Sequence, residues 1–213
     1  MIVKFTDGYH FFSIIILTLF SCITNFASPV TNQQMIKLAY FERNDFDQLM
    51  EWINDDELLM NWSGSLFSYP LTTKSLEWYI DDVNDINNSD VFIYKALDIT
   101  TGNTVGHISL GSISKKNKSA RISRVLVGGI DSRGKGYCQQ MVKNVLKIGF
   151  EELKLHRISL GVYNFNLAAI SCYQKSGFII EGTTRDVLNY KGEWWSLIEM
   201  SILEDEWKKA YNM

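Results

Sequence analysis

"LVGGIDSRGKGYCQQMV", from Leu126 to Val142, sets four glycines, an arginine and a lysine between an apolar run and an amphipathic one. Two glycine-rich loops overlap in it. From Gly129, "GIDSRGKG" approaches the nucleotide-binding pattern G-x-x-x-x-G-K-[ST]. That loop needs a hydroxyl directly after its lysine to hold magnesium, and Gly136 stands there. The run before Gly128 ends a meander, and no later strand closes on an isolated aspartate suited to magnesium. Both points argue against a P-loop hydrolase. From Arg133, "RGKGYC" uses every residue. A strand stops at Val127 and a helix starts within Gly134–Cys138, so successive unpaired N–H groups point outward at the positive end of the helix dipole. Gly134 and Gly136 let an oxyanion approach the backbone, and Arg133 and Lys135 add charge at the rim. A plain glycine-rich turn ahead of a helix fits the loop equally well.

Outward from this stretch the periodicity is that of one domain. "MIKLAYF" (35–41) half-alternates like a first strand. "NDFDQLMEWIND" places Phe46, Leu49, Met50 and Ile53 at helical spacing behind an Asn44 or Asp45 cap. The segment "SGSLFSYPLT" is expected to be a loop, and "TKSLEWYIDDVNDI" a second amphipathic helix capped from Thr72 or Thr73. "DVFIYKALD", "NTVGHISLGSIS" and "SARISRVLVGG" predict an antiparallel meander, with "SKKNKS" as a solvated basic turn. A helix over "GKGYCQQMVKNVLKIGFEEL", a strand over "LHRISLGVY", a short helix ending at Gly177 and two closing strands follow. The class is α+β, a mixed, mostly antiparallel sheet flanked by helices.

Composition narrows the function. The 213 residues suit one well-cored domain. A net charge of −3 gives no footing for nucleic acid, which asks for a basic face. Cys22, Cys138 and Cys172 are odd in number with no C-x-x-C spacing, which predicts reduced thiols rather than a disulfide frame or a zinc site. His10, His107 and His156 form no paired motif, so no metal is expected. Residues 1–34 stand apart from the domain of 35–213. "FFSIIILTLF" (11–20) is the core of an apolar stretch to Ala27 that suits a membrane tether, a cleaved signal, or a loose or upstream-translated appendage to a protein whose working part starts at Met35.

"RVLVGGIDSRGKGYCQQMV" followed by "HRISLGVYNFNLAAISCYQKSGF" resembles the GNAT superfamily of acetyl-CoA-dependent N-acyltransferases. In the family loop [QR]-x-x-G-x-[GA], the positions are held by Arg133, Gly136 and Cys138, the cysteine departing from the small residue. Asn166, Ala169, Tyr173, Lys175, Gly177 and Phe178 stand in register with the second family signature. The ending "EGTTRDVLNYKGEWWSLIEMSILEDEW" is similar to the branch of ribosomal-protein N-terminal and spermidine acetyltransferases, and the likeness runs from about Met35 to Trp207.

The resemblance implies a sheet whose central strands part, with the strand ending at Leu126–Val127 splaying from Ile158–Val162. The pantetheine arm of acetyl-CoA would lie in the gap, and the pyrophosphate on Arg133, Gly134, Lys135, Gly136, Tyr137 and Cys138. An N–H near Val127 would polarise the thioester carbonyl, and Asn166 would meet the pantetheine arm. It implies Tyr173 as the general acid that protonates the leaving thiolate; from spacing alone Tyr173 is equally a core aromatic. No metal is implied. The general base stays unassigned: "SARISRVLV" has no glutamate, His107 is a candidate through water or else a packed strand residue, and Glu51 and Glu199 are weaker. The expected reaction is acetyl transfer to a primary amine in a ternary complex, the acceptor being a protein N-terminus, a polyamine or another small amine. Trp62, Phe67, Tyr69, Trp194 and Trp195 are expected to line its pocket, with Asp55, Asp56, Glu57, Asp81 and Asp82 drawing a cation. The alternative is a non-catalytic acetyl-CoA-binding module. The expected setting is cytoplasmic, with membrane contact only if residues 11–27 are an anchor; a homodimer is the partner state left open.

Overall fold

The computed structural model describes residues 34–211. The readings made of residues 1–27, Cys22 among them, lie outside the described residues. Seven strands form one sheet in the order β1-β2-β3-β4-β5-β7-β6: β1 Ile36–Tyr40, β2 Phe92–Asp98, β3 Thr104–Ser114, β4 Ser119–Val127, β5 Arg157–Tyr163, β6 Ile179–Tyr190 and β7 Glu193–Leu203. Every neighbouring pair is antiparallel except β4–β5, so the class is the α+β mixed sheet expected. Ser114 faces Ser119 across the β3–β4 turn, which puts the basic tip where the turn signal placed it.

The N-terminal part holds one helix more than the sequence predicts. α1 (Phe46–Trp52) and α3 (Thr73–Tyr79) are joined by α2 (Asp56–Ser63), which takes in the start of the segment expected to be a loop. Asp55 starts α2: its carboxylate accepts from the Leu58 N–H at 2.7 Å, an N-cap that supplies one of the helix's orphan donors with a partner. Apolar periodicity over eight residues is too short to announce such a helix beside Gly64.

Both faces of the sheet are covered, and β2 shows how. Phe92, Tyr94 and Ala96 belong to the larger core under α4 (Tyr137–Lys147), α5 (Leu167–Lys175) and α6 (Glu204–Ala210). Ile93 belongs to the second core, beneath α1–α3 with Phe46, Leu49, Leu59, Trp62 and Leu76. Alternate residues of a strand point to opposite faces, so a strand with two buried faces reads as continuous apolar text. In β4 the alternation breaks. Ala120 and Ile122 join the first core, yet Leu126, of the same parity, joins the second. The pairing explains it: Ser109 faces Ser123, while His107 faces Leu126, so β4 carries one extra residue there. Arg124, at φ +52°, sits in this bulge. A single inserted residue turns everything after it to the other face.

Candidate active site

β4 also parts from its other neighbour. β4 pairs with β5 only from Ser119–Arg121 to Arg157–Ser159. Beyond that the strands part, and a cleft of about 310 Å³ opens between Ile122–Leu126 on one wall and Leu160–Tyr163 on the other. Leu58, Asn61, Trp62 and Gly64 close it from the N-terminal side, and Asn166 and Tyr173 from α5. The parted strand pair expected from the resemblance is therefore present, and its exposed backbone can accept an extended ligand as an added strand.

The glycine loop follows the end of β4 in the chain. Gly134 and Gly136 have φ of +75° and +80°, which a residue with a Cβ adopts only at a cost. Gly136 is the N-cap of α4 and offers no side-chain cap, so the first N–H groups of an eleven-residue helix keep their donors for a ligand. Arg133, Gly134, Lys135 and Gly136 are exposed. Tyr137 differs: its ring is buried, and its hydroxyl donates to Asp98 Oδ2 at 2.6 Å, which leaves the backbone amide as its means of meeting a ligand. That bond comes first among the causes that lower the Asp98 carboxyl to about 2.

The cysteines correct the sequence reading. Cys138 and Cys172 are joined in a disulfide, with Cα atoms 6.4 Å apart, a normal bridging span. Thirty-four residues separate them in sequence. They meet because α4 and α5 pack side by side, a neighbourhood that cysteine spacing does not reveal.

Tyr173 is 6% exposed and lines the cleft; burial alone raises its phenol above the ordinary range, so it holds its proton at neutral pH. Asn166 caps α5, its Oδ1 accepting from the Ala169 N–H at 3.2 Å, and its Nδ2 donates to Asn61 Oδ1 at 3.4 Å. Leu126 lines the cleft, and Val127 pairs with Gly106 at the end of β4.

His107 is 1% exposed and does not line the cleft. Its ring meets Phe41, Trp62 and Tyr79 edge-on or tilted. Its Nδ1 lies 2.9 Å from the Arg124 carbonyl oxygen; a carbonyl only accepts, so Nδ1 carries the proton. Trp62 Nε1 donates to the same oxygen at 3.0 Å. Burial holds the imidazole down at about 4. His107 is thus the clamp of the bulge, and the packed-histidine alternative is the one that the geometry bears out.

The expected acceptor pocket is met in part. Trp62 lines the cleft, while Phe67 and Trp195 are core residues and Tyr69 and Trp194 are exposed. Asp55, Asp56, Glu57, Asp81 and Asp82 are not among the cleft-lining residues; Asp55 caps α2 and Asp56 accepts from Tyr190 at 3.2 Å. Glu51 accepts from Gln48 on the exposed face of α1. The charged residues on the cleft wall are Arg121 and Arg124, which the sequence reading passed over; two arginines inside an otherwise apolar and small-residue strand were the available signal. Arg121 reaches Glu199 Oε2 and Oε1 at 2.8 and 3.2 Å. Gly161 lets it pass: a Cβ there would lie 2.4 Å from Arg121 Nη2 and 2.7 Å from Leu197 Cδ2.

Residues 36–179 match the family model described as the acetyltransferase (GNAT) domain. The SPbeta prophage-derived uncharacterized N-acetyltransferase YokL of Bacillus subtilis is 27% identical over 72% of this chain and 82% of its own length. The aminoglycoside N(6')-acetyltransferase type 1 of Klebsiella pneumoniae is 25% identical over 82% of this chain and 86% of its own. Among solved structures, the spermidine N-acetyltransferase of Vibrio cholerae in complex with CoA and spermine superposes with a TM-score of 0.70 at 22% identity, covering 81% of this chain and 98% of that one.

Proposed function

The chain belongs to the GNAT acetyltransferase family and is an enzyme of acetyl transfer to amines; we propose that its donor is acetyl-CoA and that transfer occurs by direct attack of a primary amine in a ternary complex. The domain that does this runs from residue 35 to 213, with residues 1–34 outside it. The observation that carries the reading is the parting of β4 from β5, with Tyr173 lining the cleft so opened and a helix start at two left-handed glycines following β4.

In this reading the amides of Arg133 to Cys138 hold the pyrophosphate, with charge from Arg133 and Lys135. The pantetheine arm runs along Leu126 and Val127 and past Asn166, pairing with backbone that β5 leaves free. The backbone N–H at Val127 stabilises the oxyanion as the amine adds to the thioester carbonyl. The tetrahedral species collapses by breaking the C–S bond, and Tyr173 gives its proton to the departing thiolate. No side chain is assigned as the base that takes the amine's proton. Relatives named for aminoglycosides and for spermidine support a small amine as acceptor, and a protein N-terminus stays within the class. The setting proposed is the cytoplasm, where acetyl-CoA is held. Among the described residues no helix is long and apolar enough to cross a membrane. The dodecameric structure of the Vibrio cholerae relative makes self-association a natural partner state to test.

The experiment is calorimetric titration with acetyl-CoA beside a turnover assay on the wild type and Tyr173→Phe. Binding retained with turnover lost is the expected result. Full turnover in the variant removes Tyr173 from its role, and binding without any turnover in the wild type favours the non-catalytic module.

A further inference from the structure

Arg124 is out of balance with its surroundings. It sits half-buried in the bulge of β4 and lines the cleft. Its Nη1 donates to Ser123 Oγ at 3.1 Å, its Cζ stands 5.0 Å above the centre of the Tyr79 ring, and its Nε is buried with no partner. No carboxylate pairs with it among the described residues, and the cleft's other arginine, Arg121, is the one paired with Glu199. The cleft wall that holds Arg124 contains no Asp or Glu. A guanidinium withdrawn from water without a counter-charge is costly, and its planar fork is shaped for a carboxylate. The wall is electrically the opposite of one built to receive a polycation.

We propose that the acceptor amine carries a carboxylate, and that Arg124 binds it in the cleft that Tyr173 also lines. The substrate class is then an amino acid or a similar small amino-carboxylate, not a polyamine or an aminoglycoside. This rests on the acetyl-transfer reading of the cleft. The glycine loop that receives the cofactor's phosphates in that reading is not part of the wall on which Arg124 stands, so the cofactor does not supply the missing anion there. Arg124 acts here as a specificity residue: its fork orients the acceptor, and the chemistry stays with the groups already named.

The test sets the twenty protein amino acids, each beside its carboxamide, against spermidine and kanamycin, with acetyl-CoA as donor. At least one acid is expected to exceed its amide by tenfold or more in kcat/KM, and to exceed both polycations. In Arg124→Gln that acid is expected to fall to the level of its amide through a raised KM, while Arg124→Lys keeps part of the preference. A merely structural role would lower acid and amide alike. The inference is overturned if no acid outruns its amide in the wild type, including the case in which no acid is acetylated, and this arm does not depend on the variants folding. Acetyl-CoA titrated without acceptor separates the two levels. Absent binding sinks the acetyl-transfer reading itself, whereas intact binding with acid and amide equal sinks the amino-carboxylate inference alone.

Discussion

In the glycine loop the parts come from one contiguous run, Val127 to Cys138, whereas in the cleft Trp62, Arg124, Leu160, Tyr173 and Leu197 arrive from α2, β4, β5, α5 and β7. The first is local chemistry: two left-handed glycines and a helix start make a row of donors wherever the chain places them. The second exists only because β4 parts from β5 and side chains from other elements close the gap. The Cys138–Cys172 bridge ties the halves together through α4 and α5, while the paired Trp62 and His107 bonds to the Arg124 carbonyl hold the dispersed end. A local end should fail by losing one ligand, and a dispersed end by losing stability or turnover.

The largest expected effect lies at the dispersed end. Tyr173→Phe should lower kcat by about 10³-fold, within the range that a positioned acid supplies, with the acetyl-CoA Kd changed by no more than about twofold. Steady-state kinetics beside calorimetry checks this, and an equal loss in both quantities would erase the distinction between the ends. Next comes the bridge. A cross-link closing about 35 residues restrains the unfolded chain by roughly 3–4 kcal/mol, so Cys172→Ser, or reduction, should lower Tm by about 10 °C in a thermal scan. A shift near zero would mean that α4 and α5 hold together without it.

The clamp gives a pH signature of similar size. Burial keeps His107 at about 4, below its ordinary 6.5. The unfolded chain therefore binds a proton between those values that the folded chain refuses, and stability falls with pH in that window. His107's contribution is whole above pH 6.5 and is lost by about pH 4, a difference of about 3 kcal/mol. Urea midpoints measured from pH 7 to pH 4 should show this slope, and His107→Phe should flatten it. The smallest effect belongs to the local end. Gly136→Val puts a branched side chain at φ +80°, where the left-handed backbone costs about 1–2 kcal/mol. The acetyl-CoA Kd should rise by about tenfold while the acceptor KM stays put. A larger loss in Tm than in affinity would show the glycine serving the fold more than the ligand.

The strands were legible because β2, β3 and β4 each bury residues on both faces and are separated by plain turn signals. The glycine loop was legible for the reason that makes it local. Three things were not. α2 hid in a segment too short for periodicity. The pairing of Cys138 with Cys172 depends on two helices lying side by side. The change of face after Arg124 depends on strand register, which one residue shifts without altering the apolar pattern of "SARISRVLV".

By itself the sequence determined the α+β order of elements, the donor-bearing helix start at Gly136 and the family resemblance, because each rests on residues close together in the chain. Only the tertiary structure decided that His107 is buried away from the cleft and bonded to the Arg124 carbonyl, that two cysteines are bonded, and that Arg124 stands on a cleft wall without a carboxylate. Those outcomes depend on which distant side chains share a space, and burial and charge pairing are properties of that shared space rather than of any stretch of chain.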